Sequence, residues 1–128
     1  MAEILKVRMR RRLKGDFNIW VHVYVESLAA PEKQDLGLSL NQLGDSVRRA
    51  LLRIDDARGR RTNEAMIRDY RAVQSVADEL QVQLRKAEQL RAGDAEPLLK
   101  AVAALTDFSA MIREEIEFYA AQDPKASS

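Results

Sequence analysis

An all-α fold, an antiparallel up-down four-helix bundle with a basic N-terminal arm, is what three observations on this 128-residue sequence predict. Apolar residues recur at three- and four-residue steps over most of the chain beyond residue 16. The composition is 46% hydrophobic and 32% charged but only 5% aromatic, with five Gly and three Pro, which suits Leu-, Ala- and Arg-rich helices better than a β-sandwich. Turn and cap residues between the stripes leave connections so short that consecutive helices must run antiparallel.

The first element, within residues 4 to 25, reads two ways. As a helix, Phe17, Trp20, Val21, Tyr24 and Leu28 form a core stripe behind a good cap, Asp16. As strands, Leu5, Val7 and Met9 alternate with Lys6, Arg8 and Arg10, and Ile19, Val21, Val23 and Val25 alternate with Trp20, His22 and Tyr24. Lys14-Gly15-Asp16 is then the turn of an N-terminal β-hairpin beside a three-helix bundle, and the run Val21 to Val25 has the β propensity for it. On that hairpin Trp20 and Tyr24 share a face with Arg8, Arg10 and Arg12 and offer stacking surfaces for bases.

From Pro31 onward the signals are helical. Leu36, Leu40, Leu43, Val47, Leu51 and Ile54 make a second stripe that ends near Gly59. Thr62 or Asn63 caps the third, Met66, Tyr70, Val73, Ala77, Leu80, Leu84 and Ala87, whose alternating steps are those of a seam between packed helices. Gly93 closes it, and Asp94 opens the last helix, with Glu96 and Pro97 in its first turn. That helix carries Leu98, Val102, Leu105, Ile112, Ile116 and Tyr119 on one face, with Phe108 beside them and Met111 as core filler like Met66. Residues 1–122 are expected to form one domain, with 1–15 as the arm and 123–128 as a frayed, disordered tail.

With no cysteine, stability must come from packing, and a reducing cytoplasm is the expected setting. No apolar run approaches the roughly 18 to 20 residues needed to span a bilayer, and no signal-peptide core follows the basic start, so no membrane partner is expected.

Charge is segregated. Lys6, Arg8, Arg10, Arg11, Arg12 and Lys14 lie in the first fourteen residues, opposed only by Glu3, so that stretch carries net +5 and the remainder −4. A basic segment on a near-neutral body suggests a polyanionic partner, RNA or DNA. Arg48, Arg49, Arg53, Arg58, Arg60 and Arg61 form a second group, in which Arg49 and Arg53 share a helical face. Asp45, Asp55 and Asp56 offset half of that charge, so a salt-bridged surface competes there with phosphate contact.

Catalytic constellations are missing. The sole histidine, His22, has no His or Cys companion for zinc, and no P-loop, dinucleotide-binding glycine pattern or nucleophile elbow is present. Asp55-Asp56 and Glu114-Glu115-Glu117 read as solvated helix faces, because adjacent carboxylates on a helix point to different sides. No enzyme, metal or cofactor is expected.

Asp16-Phe17-Asn18-Ile19-Trp20, Pro31 with Leu36-Gly37-Leu38, Arg48-Arg49-Ala50 with Ile54, and then Met66-Ile67-Arg68, Glu79-Leu80, Gln83-Leu84 and Ala87 follow one another in an order that resembles a family of small four-helix-bundle proteins. Its branches are the proteins encoded by intervening sequences in bacterial large-subunit ribosomal RNA genes and the accessory variability determinants of diversity-generating retroelements. The matches span most of residues 16 to 90. The chain departs from the pattern in a short stretch between Trp20 and Pro31, in extra residues between Leu38 and Arg48, in Ala57-Arg58-Gly59-Arg60-Arg61 at the turn, and in the basic arm. The resemblance favours the helical reading of residues 17 to 28. It also implies a basic-surfaced bundle and a homo-oligomer; in the retroelement branch the family forms pentamers that bind nucleic acid and associate with a reverse transcriptase, while the ribosomal branch has no settled activity. The expected function is a non-enzymatic nucleic-acid-binding accessory protein; the competing expectation is a protein–protein adaptor built on the helix faces.

Overall fold

The computed structural model describes residues 17–57 and 62–122. Four helices pack antiparallel, and among the described residues there is no strand. Helix α1 covers residues 17–26. Helix α2 starts with the turn Ala30–Glu32, widens into a π-helical turn at Lys33–Gly37 and continues as a regular α-helix over Leu38–Ala57. Helices α3 (Asn63–Leu90) and α4 (Ala95–Gln122) each have 28 residues.

The β-hairpin reading fails for residues 17 to 25, and burial gives the reason. A strand would put Val21, Val23 and Val25 on one face, yet Val21 and Val25 are buried with Phe17, Tyr24 and Leu28 while Val23 is 44% exposed. Burying a helical face of two aromatic and three aliphatic side chains outweighs the β propensity of the run. Residues 4 to 16 of that hairpin, like the tail 123–128, lie outside the described residues.

The stripes meet in one core. All seven apolar positions of α3 from Met66 to Ala87 are buried, as are Leu40, Val47, Leu51 and Ile54 of α2 and Leu98, Leu105, Phe108 and Ile112 of α4. The Phe17 ring packs at 5.0 Å from that of Phe108, tilted by 47°, and Tyr70 stacks at 6.0 Å on Tyr119. Helix α1 approaches α2 closely where Gly37 and Gly44 remove side chains: a Cβ there would fall 2.9 Å from Val25 Cγ1 and 2.9 Å from Asn18 Oδ1. The π-helical turn just before Leu38 shifts the register that carries Gly37 against Val25 and Leu28.

The caps agree with the sequence at one end of α3 and differ at the other. Thr62 Oγ1 accepts the N–H of Ala65 at 3.1 Å, as an N-cap should. At the C-terminus Arg91 takes the left-handed conformation, φ 53°, with Gly93 also at positive φ two residues later. The α3–α4 connection then docks on the end of α1. Tyr24 OH donates to the carbonyl of Ala92 at 2.7 Å, while Ser27 Oγ donates to the Tyr24 carbonyl and accepts the N–H of Asp94 at 2.9 Å.

One acidic residue departs from expectation. Glu115 is not solvated but 1% exposed, because it follows Phe108 and Met111 by seven and four residues and so shares their inner side of α4.

Candidate nucleic-acid interface

The candidate surface is built on the C-terminal half of α2. At 100° per residue, Arg49 and Arg53 lie on one side of the helix and about 6 Å apart along its axis. Arg48 points a quarter-turn away, toward the side on which Gly37 and Gly44 meet α1. All three guanidinium-bearing side chains are exposed. Among the described residues none of them lies in an ion pair, so Asp45 leaves their charge unpaired. Asp55 and Asp56, the other two acidic residues of the salt-bridged alternative, have side chains outside the described residues.

Two depressions flank Arg53. A broad one of about 560 Å³ is lined by Ser46, Arg49, Leu52 and Arg53 on the outer face of α2. A smaller one of about 250 Å³ lies between α2 and α3, lined by Ala50, Arg53, Ile54, Asp69 and Ala72. Arg53 is common to both. Arg68 Nε sits 4.0 Å from Asp69 Oδ1, at the α3 side of the groove.

Of the sequence-predicted contacts, Arg48, Arg49 and Arg53 are thus brought together on one helix. Lys6, Arg8, Arg10, Arg11, Arg12 and Lys14, with Arg58, Arg60 and Arg61, lie outside the described residues. The described chain shows where they attach. Residues 58–61 join the C-terminus of α2 to the N-terminus of α3, and the arm joins α1 at Phe17, beside Phe108 and one residue before the Asn18–Gly44 approach, about thirteen residues short of that end of α2.

The aromatic residues do not form a stacking platform for bases. Tyr24 is fully buried, and desolvation raises its pKa from the ordinary 10.0. Trp20 is half-buried between α1 and α4, with Lys100 Nζ 4.4 Å from its ring centroid; the same ammonium lies 3.2 Å from Glu96 Oε1. Lys100 is a partner that sequence reading missed, since a residue eighty positions away leaves no local signal. His22 is exposed on α1.

Among the described residues no three His, Asp or Glu side chains converge to hold a metal ion, and no helix is long and apolar enough to cross a membrane. Comparison with protein-family models, characterised proteins and solved structures finds no match to this chain.

Proposed function

We propose that the protein is a non-enzymatic nucleic-acid-binding accessory protein. The observation that carries this reading is the exposed trio Arg48, Arg49 and Arg53, which form no ion pair among the described residues and lie on the half of α2 that leads into the Arg58 to Arg61 turn. Salt-bridged arginines would have spent their charge within the fold; these face solvent. The likeness of the sequence to intervening-sequence and retroelement accessory proteins supports a reverse transcriptase as protein partner and a homo-oligomer, a pentamer in the retroelement branch, as the working form. In such an oligomer several modest phosphate-binding surfaces act together at high effective concentration.

Salt dependence of binding is the test. Each phosphate contact contributes about −0.9 to the slope of log K against log salt for duplex DNA, so R48A/R49A/R53A should flatten it by up to about 2.7. Replacing Arg8, Arg10, Arg11 and Arg12 by Ala should flatten it further. Undetectable binding to RNA and DNA at low salt, or slopes unmoved by both sets, rejects the reading.

A protein–protein adaptor is the second reading, favoured by one specific observation. Ile19 and Val23, one turn apart on the outer face of α1, are 57% and 44% exposed. Capture of a partner that survives nuclease treatment and is lost in I19D/V23D, but not in the arginine variants, would favour it.

A further inference from the structure

The contact between Phe17 and Phe108 sets a register that reaches past the first described residue of α1. Both side chains are fully buried, with ring centroids 5.0 Å apart, on helices that run antiparallel. Glu115 follows Phe108 by seven residues and is 1% exposed. Seven residues fall about 20° short of two helical turns, so Glu115 projects to nearly the same side of α4 as Phe108, about 10 Å further along. Counted the other way from Phe17, the same step reaches Arg10. On the line of α1 continued, Arg10 stands level with Glu115 and on the inner side that Phe17 occupies. Helix α2 runs thirteen residues beyond Gly44 and α4 fourteen beyond Phe108, so the two helices that flank α1 also flank that line. A carboxylate so deeply buried is found with a counter-charge, and every Lys and Arg among the described residues is at least partly exposed.

We infer that residues 6–14 continue α1 between α2 and α4, and that Arg10 forms a buried ion pair with Glu115. Leu13, four residues before Phe17, falls on the side of Trp20, which faces α4 through Lys100, and so meets Met111, itself 6% exposed. The helix then begins upstream of Asp16 and holds Gly15 in its interior, a local cost that burial of the amphipathic face offsets. Arg8 and Arg12, nine and five residues before Phe17, project about 180° and 140° away from it and stay in solvent. The pair goes beyond the nucleic-acid reading and does not depend on it. It divides the arm into one arginine that holds the fold and others left to meet phosphate.

Urea unfolding of the full chain, with no nucleic acid present, tests the pair on R10M, E115M, R10M/E115M and R8M/R12M. Removing one member of a buried pair strands the other, so R10M and E115M should each lower the folding equilibrium constant about a hundredfold or more. R10M/E115M, with two apolar side chains facing each other, should return to within about tenfold of the parent chain, and R8M/R12M should remain there too. If R10M costs no more than R8M/R12M, or the double variant loses the two single effects added together, the pair is overturned. Salt dependence of oligonucleotide binding supplies a second readout: R8M/R12M should flatten the slope by up to about 1.8, and R10M/E115M should leave it unchanged. Equal flattening by R10M/E115M overturns the buried position of Arg10. Absence of any binding overturns the nucleic-acid reading alone, because the unfolding measurements decide the pair by themselves.

Discussion

Gly93→Ala is expected to be among the most damaging single-methyl additions to this bundle. The residue sits at φ +71°, where an L side chain costs about 1–2 kcal/mol. Its new Cβ would also fall 2.8 Å from Ser27 Oγ, 2.9 Å from Tyr24 Cε1 and 3.0 Å from Leu28 Cδ2. Tyr24 and Leu28 are buried, so relief must come from moving the end of α1 away from the loop. That movement breaks the Tyr24–Ala92 hydrogen bond, worth about 1 kcal/mol. Together these effects predict a loss of about 2–4 kcal/mol. In urea unfolding followed by circular dichroism and Trp20 fluorescence, the midpoint should fall with an unchanged slope. Gly44→Ala is the control: its Cβ meets the polar tip of Asn18, which can turn aside, and replacing a helical Gly by Ala returns up to about 1 kcal/mol. If Gly93→Ala costs under about 0.5 kcal/mol, or no more than Gly44→Ala, the proposed fastening of loop to helix is wrong.

Tyr24→Phe should lower stability by about 1 kcal/mol near neutral pH and should flatten its alkaline limb. Because burial raises the pKa of Tyr24, the unfolded chain loses its phenolic proton first; the stability due to the neutral hydroxyl is full below pH 10 and falls as pH rises toward the folded-state pKa. Denaturant titrations at pH 8 to 11 check it, and parallel curves for the two proteins would contradict it. Thr62→Ala removes the cap of α3 and should cost about 1 kcal/mol in the same assay. Lys100→Ala should shift the emission of Trp20, the sole tryptophan, and cost about 0.5–1 kcal/mol; an unchanged spectrum would deny the contact.

Helical periodicity made most of the fold legible in the sequence. The α3 stripe from Met66 to Ala87 is buried at every expected position, because repeated three- and four-residue steps have few other solutions. Residues 21 to 25 were ambiguous since Val, Tyr and Val favour a strand locally, and only the neighbours supplied by Phe108, Gly37 and Gly44 decide for a helix. The π-helical turn, the burial of Glu115 and the left-handed Arg91 were not legible, for each answers to packing rather than to local preference. On the candidate surface, Arg49 and Arg53 were placed on one face by spacing alone. The groove beside them needed α3, because Asp69 and Ala72 line it from across the α2–α3 contact.

The contacts between α1 and the α3–α4 loop also bear on how the chain assembles. Tyr24 and Ala92 are 68 residues apart, and Ser27 and Asp94 are 67 apart. Closing so long a loop is entropically costly until something shortens it, and α2 with α3 does so by folding back as a local hairpin. Joining of α1 is therefore expected to come late, with substitutions at Tyr24 and Ser27 speeding unfolding and leaving the folding rate nearly untouched.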